Sequence, residues 1–367
     1  MTVMMLLAML SILEDNTWRI GQSGVFQPLA NGEVIVRSDG ELYVLNFKEA
    51  FINHYDAAGR KKGTIGRKGR GPGEFTYPTR FCHNDGKLFV FDVMTGAISS
   101  FTEEGAFIKQ YPVGRELQDM IKVENGWILV QAEREQPLEI YWTDNDFDKK
   151  ERILRLNTVN TSGGVTMEMG PSGAVGVYSP IGSSAIARSN TDGSRIYVCE
   201  PGGFRVHVID PIAKKVIAEI KRDEKRIPFD TEWADNRWKA MSKRMPHQDQ
   251  EIDFTMDYPE SFPVVRDFRV DYQGRLVFSK WMGRPDGGHH NLLVLDQLGN
   301  EQQIKLNWAS VERVVAVNGK WAYVTTWDED EEEAGLARCS LDALEGFLKA
   351  NPINFEGQAG RQIRIRG

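Results

Sequence analysis

Cysteine is scarce. Cys82, Cys199 and Cys339 are the only three in 367 residues, too few and too scattered for a disulfide framework or a zinc knot. They read as small buried hydrophobes. Positive charge is not in excess: 45 Lys and Arg stand against 52 Asp and Glu, a formal net charge of −7, so no broad basic field draws nucleic acid. A long hydrophobic run is also missing. The most apolar stretch, Val3 to Leu13, is too short to span a bilayer, and it has neither a Lys/Arg leader nor a clear small-residue cleavage site. It reads either as a truncated signal segment, which makes the protein an exported one, or as an apolar N-terminal element of a cytoplasmic chain. The chain carries no Ser-His-Asp order, nucleophile elbow, paired-carboxylate motif or D-x-D-x-D-G calcium loop. No motif names a reaction.

What the chain has is a repeat. A tight glycine turn followed by an apolar β run occurs six times: SDGELYVLN (38–46), NDGKLFVFD (84–92), ENGWILVQ (124–131), TDGSRIYVCE (191–200), YQGRLVFSK (272–280) and VNGKWAYVTT (317–326). Self-similarity at this spacing marks a repeat fold, and propeller blades take about 40–45 residues each. The expected fold is an all-β, six-bladed propeller with four-stranded antiparallel blades, forming one domain over residues 14–367. Each glycine turn joins an innermost strand to the second. The innermost strands are 33–37, 80–83, 120–123, 185–189, 268–270 and 313–317. Hairpins downstream supply the third and fourth strands of five blades. The sixth has only 335–342 after its turn, so its outer strand is expected from Thr17–Ile20 or Gln362–Ile365, closing the ring with a chain-terminal strand. A short amphipathic helix is predicted near 231–245, where Trp233, Asn236, Trp238, Met241 and Met245 recur at helical steps before Pro246.

Connectivity then separates two faces. The first-to-second and third-to-fourth turns share one face and are short. The long segments, 66–78, 131–137, 157–184, 223–265, 281–291 and 327–335, read as irregular loops on the other. Function concentrates in such loops on a rigid scaffold, so binding is expected at the loop-rich face around the channel mouth.

Ile65 to Pro78, IGRKGRGPGEFTYP, resembles the G-x-x-G-x-G-P-G-E-F-x-x-P interblade signature of NHL-repeat and related TolB-like six-bladed propellers of bacteria. The YDxxG hairpin at Tyr55–Gly59, the LFVFD strand at Leu88–Asp92 and the stretch Pro259–Leu276 extend the resemblance to roughly residues 30–345. It implies the fold and no single activity, since that superfamily holds lactonases, lyases and many binding proteins. Physically, the glycines let the chain turn sharply. Glu74 is placed to accept backbone N–H groups, and Phe75 to plug between blades.

The residues that carry chemistry are few. Polar groups at the start of the innermost strands, Arg80, Asp119, Arg188, Asp267 and Glu312, form a ring of mixed charge around the channel. Such a ring either pairs internally or binds an anionic or zwitterionic ligand through Arg80 and Arg188. His289 and His290, with Asp286 and Asp328, are the candidate ligands for a divalent ion, Ca or Zn, though histidine pairs in loops are commonly just solvated. Trp281, with Trp233, Trp238 and Trp327, is a candidate aromatic anchor. His83 and His207 read as satisfied core histidines, and His54, on an outer strand, as exposed. The first expectation is a module that binds a small molecule or protein. Its rival is a metal-dependent lyase or hydrolase with the ion at the channel mouth.

Overall fold

The computed structural model describes residues 19–21, 34–46, 49–132, 137–159, 164–169, 174–178, 186–190, 192–200, 202–242, 253–270, 274–280, 289–295, 301–307, 311–318, 321–328 and 333–340. Among these, six antiparallel sheets have four strands each and follow one another along the chain. From inner to outer strand, the first holds Val34–Val36, Leu42–Asn46, Phe51–Tyr55 and Lys61–Ile65. The second holds Pro78–Asn84, Lys87–Asp92, Ala97–Thr102 and Phe107–Pro112. The third holds Leu117–Val123, Gly126–Gln131, Pro137–Thr143 and Lys150–Val159, and the fourth Ile186–Ser189, Ile196–Cys199, Phe204–Asp210 and Lys215–Arg222. The fifth holds Val265–Val270, Leu276–Lys280, His289–Leu295 and Glu301–Asn307. In the sixth, Val311–Asn318, Trp321–Asp328 and Glu333–Ser340 are joined by Arg19–Gly21, whose backbone pairs with Gly335–Ala337. The other candidate for that place, 362–365, and the apolar segment 3–13 lie outside the described residues.

The second strands explain the stacking. LYVLN and GWILVQ are buried at every position, so their sheets need cover on both faces. Apolar clusters fill the seams. Tyr43, Leu45, Ile65, Phe75, Phe81 and Leu88 join the first sheet to the second, and Phe91, Ile98, Met120 and Trp127 join the second to the third. Further clusters join the third to the fourth and the fourth to the fifth. Arg269 of the fifth donates to the Val315 carbonyl of the sixth at 3.2 Å. Tyr323 and Leu336 of the sixth then pack on Val34, Leu42 and Val44 of the first. This is an all-β propeller with four-stranded antiparallel blades.

The linker 66–75 is a packed structural crossing. Phe75 is fully buried between the first two sheets. Gly66 has φ +73, and a Cβ there would sit 2.1 Å from the Phe75 ring. A Cβ on Gly69 would meet Glu74 Oε2 at 2.0 Å. Glu74 accepts the Gly71 N–H at 2.9 Å and the Arg67 guanidinium at 2.8 Å. Asp92, buried at the end of LFVFD, fastens the loops that flank its strand. Its Oδ2 accepts Thr76 and Tyr77 N–H, at 2.5 and 3.0 Å, and its Oδ1 accepts Met94 and Thr95 N–H, at 2.9 and 3.2 Å.

Two expectations need correction. The inserts at 157–184 and 223–265, read as irregular loops, meet in a separate three-stranded sheet. Gly164–Met169 pairs with Ala174–Tyr178 on one side and with Asp253–Asp257 on the other. Backbone groups of long insertions need partners, and two insertions flanking one blade supply them to each other. Second, His54 is not exposed. It is buried on the third strand of its sheet and stacks on Tyr43 at 4.3 Å between ring centres. The helix runs over Thr231–Ser242, its first turn capped by Asp230 Oδ1 accepting the Trp233 N–H at 2.9 Å. No helix among the described residues is long and apolar enough to cross a membrane.

A polar staple completes the first seam. His83 stacks on the other side of the Tyr43 contact, at 5.6 Å. Glu103 Oε1 accepts from Arg37 and pairs with His83 Nε2, both at 2.6 Å. Glu41 pairs with His54 at 2.9 Å and with Lys62. Hydrogen bonds from His83 and Arg37 hold the Glu103 carboxyl below its ordinary value. Those from Lys62 and His54, working against burial, do the same for Glu41. A depressed carboxyl contributes stability that is complete above the unfolded-chain value, about 4.3, and is lost as pH falls through the folded value. Glu103→Gln should therefore lower stability at neutral pH and flatten its decline between about pH 5 and pH 3. Urea unfolding at both pH values checks this, and an unchanged slope would count against the staple. Asp92→Ala should cost about 3 kcal/mol or more, because it orphans four N–H groups; the urea midpoint reads it.

Candidate functional site

The six innermost strands surround a cavity of about 790 Å³ on the propeller axis. Every sheet contributes: Val34 and Ile35, Phe81 to Asp85, Asp119 to Glu124, Ala187 to Ser189, Arg269 and Val270, and Val315 and Ala316. Turn residues Asn84, Asp85, Glu124, Asn190, Asp192 and Gly193 also line it. Arg80 and Asp267, nearer the starts of their strands, are not among its lining residues. The cavity therefore extends toward the short-turn face. Parts of the long segments expected to build a site on the opposite face, including 281–288 and 329–332, lie outside the described residues.

At its inner end stands a charged layer. Arg188 donates to Asp119 Oδ2 and to Asp267 Oδ1, each at 3.2 Å, and also to its neighbouring Ala187 carbonyl at 2.7 Å. Arg269 joins Asp267 Oδ1 at 2.8 Å. Each aspartate also accepts the next residue's N–H, Met120 at 2.9 Å and Phe268 at 2.8 Å. Local backbone geometry aims these carboxylates inward. The inner strands of the third and fifth sheets shift register between Leu117 and Asp119 and between Val265 and Asp267. Such bulges re-aim side chains.

The structure thus brings three members of the anticipated ring together, Asp119, Arg188 and Asp267. Arg80 is apart from them and donates to the Thr79 carbonyl at 2.7 Å. Glu312 falls at the corresponding register shift of the sixth sheet, between Val311 and Arg313, where only backbone is described. The same holds for His289 and His290, which begin the third strand of the fifth sheet, and for Asp328 at the end of its strand. Asp286 and Trp281 lie outside the described residues. Among the described residues, no three His, Cys, Asp or Glu side chains converge as a metal centre would. Of the tryptophan anchors, Trp238 and Trp327 are described only in backbone. Trp233 must be withdrawn: it is 5% exposed, packed with Ala234 and Phe262 as the core under the helix.

Two channel residues escaped the sequence reading, Arg269 and Lys122. A signal for Arg269 existed. It and Arg188 each stand five residues before a turn glycine, Gly274 and Gly193, and Asp119 and Asp267 each stand seven before theirs. Alignment on the glycines pairs like with like. Cys82 also lines the cavity, and burial pushes its thiol pKa up; burial likewise raises that of Cys199, to about 12.

Comparison with known proteins agrees with this architecture. The family model DUF5128, described as a 6-bladed beta-propeller, matches residues 29–150. A member of the DUF4221 family from Bacteroides vulgatus superposes with a TM-score of 0.55 at 11% identity, covering 89% of this chain and 96% of that one. A putative exported protein from Bacteroides fragilis gives a TM-score of 0.53 at 10% identity, over 90% and 96%. Virginiamycin B lyase from Staphylococcus aureus gives 0.45 at 12% identity, over 88% and 98%. At such identities the likeness is one of fold. No curated protein matches the sequence.

Arg188 pairs with two carboxylates from the sheets on either side of it, Asp119 and Asp267, the latter only 4% exposed. Arg188→Met should cost about 3–5 kcal/mol at neutral pH, the range for breaking a buried ion pair. Denaturant unfolding at neutral pH tests this.

Proposed function

We propose that this chain is a closed six-bladed propeller of the NHL-like kind that binds a small polar ligand in its central channel, entering from the short-turn face. One observation carries the reading: all six inner strands converge on a cavity whose wall is charged, in a fold packed largely by apolar side chains. Charged groups are costly to withdraw from water, and a layer of two arginines and two aspartates is a poor way to fill an axis for stability alone. Paired in this way, the layer is fixed in place and presents both signs to a ligand. The mouth adds Asp85, Glu124 and Asp192, with the amide and hydroxyl groups of Asn84, Asn190 and Ser189. Such a lining suits a dipolar or zwitterionic molecule better than an apolar one. The short-turn face replaces the loop-rich face as the preferred entrance, because the described cavity extends that way.

Blocking the channel tests the proposal. A panel of small zwitterions and hydroxy acids should yield at least one that raises the melting temperature. At a hundred times its Kd, such a ligand adds about 2.7 kcal/mol. Ser189→Trp, which fills the mouth, should abolish that rise, whereas Glu232→Lys on the distant helix should leave it intact. A rise that survives Ser189→Trp would move the site elsewhere.

A further inference from the structure

Three Lys or Arg side chains line the cavity among the described residues, Lys122, Arg188 and Arg269, and they are not alike. Arg188 is neutralised by Asp119 and Asp267, and Arg269 by Asp267. Lys122 has no carboxylate within ion-pair distance among the described residues. Its Nζ donates to the Val123 carbonyl and stands 5.6 Å from the centre of the fully buried Trp127 ring. An ammonium carries three donors, and one carbonyl with an aromatic face is thin solvation for it. Burial accordingly pulls the Lys122 pKa down, with Asp85 and Cys82 acting the other way. A desolvated amine with an open cavity before it is the setting in which lysine becomes a nucleophile. The neighbouring Cys82, kept as a thiol by burial, does not compete.

We propose that Lys122 is a covalent capture site, and that the channel takes ligands bearing an aldehyde or ketone, which condense with its Nζ. The inference rests on the reading of the channel as a ligand site and narrows the class of molecule. In the step, the Nζ lone pair attacks the carbonyl carbon and both amine protons pass to the carbonyl oxygen. The C–O bond then breaks, one water leaves, and a C=N bond to Nζ remains. Nothing is oxidised or reduced, and no co-reactant is needed. The charged groups around the cavity would orient the remainder of the ligand.

The probe is glyoxylate with cyanoborohydride at neutral pH, followed by peptide mapping of the intact protein. Lys122 should be carboxymethylated faster than the solvent-exposed Lys61 and Lys149. The adduct should be lost in both Lys122→Met and Lys122→Arg, while labelling of the surface lysines stays unchanged. In parallel, methylmercury, which takes a neutral thiol, reports whether the channel is open through its reaction at Cys82. Reaction at Cys82 without preferential labelling of Lys122 overturns the capture site and leaves the channel reading standing. Failure at both positions overturns the two together. Because the wild-type map decides the matter, a variant that fails to fold does not rescue the proposal.

Discussion

Burial on both faces of strands such as LYVLN and GWILVQ is the constraint on which this structure depends. A strand such as LYVLN or GWILVQ, with no exposed position, cannot belong to a sheet that faces water on one side. Each sheet must be covered twice, and identical small sheets achieve this by stacking side by side around an axis. The innermost strands then lie close together, and whatever they project inward must tolerate a narrow, shared space. The charged layer at Arg188 follows from that geometry. Three sheets contribute to it, and none would place such groups there alone.

The seams between sheets are not chemically uniform. Most are filled by aliphatic and aromatic side chains, whereas the first joins an apolar half around Phe75 to a polar half in which Arg37, Glu103, His83, Glu41 and His54 surround Tyr43. Shape-filling supplies most of the stabilisation in such a seam, while the hydrogen-bonded half selects one angle between neighbouring sheets. The linker above it adds a third device. There Gly66 and Gly69 are required because Phe75 and Glu74 occupy the space of their missing side chains.

Function is tied to the same scaffold. On the proposed reading, a ligand entering the channel meets charged groups already held in place by their ion pairs. Lys122 fits this logic from the opposite direction. Among the described residues none forms an ion pair with it, and its amine is the proposed reactive group of the cavity.

The repeat was legible because its signals are local. Glycine turns, apolar strands and polar hairpin centres are short-range features, and the six inner strands fall where those turns placed them. The roles of Glu74 and Phe75 in the linker were readable for the same reason. What could not be read depends on which residues meet once the chain is folded. His54 looks exposed in its own strand and is covered by Tyr43 of the strand before it. Trp233 looks like a surface anchor until Phe262, far along the chain, closes over it. The two inserts seem independent until they share a sheet. Linear order determined the sixfold repeat and the pattern of the blade strands. Only the tertiary structure decided which charges are neutralised, because pairing between neighbouring blades joins residues about seventy to eighty positions apart, a separation that no local signal encodes.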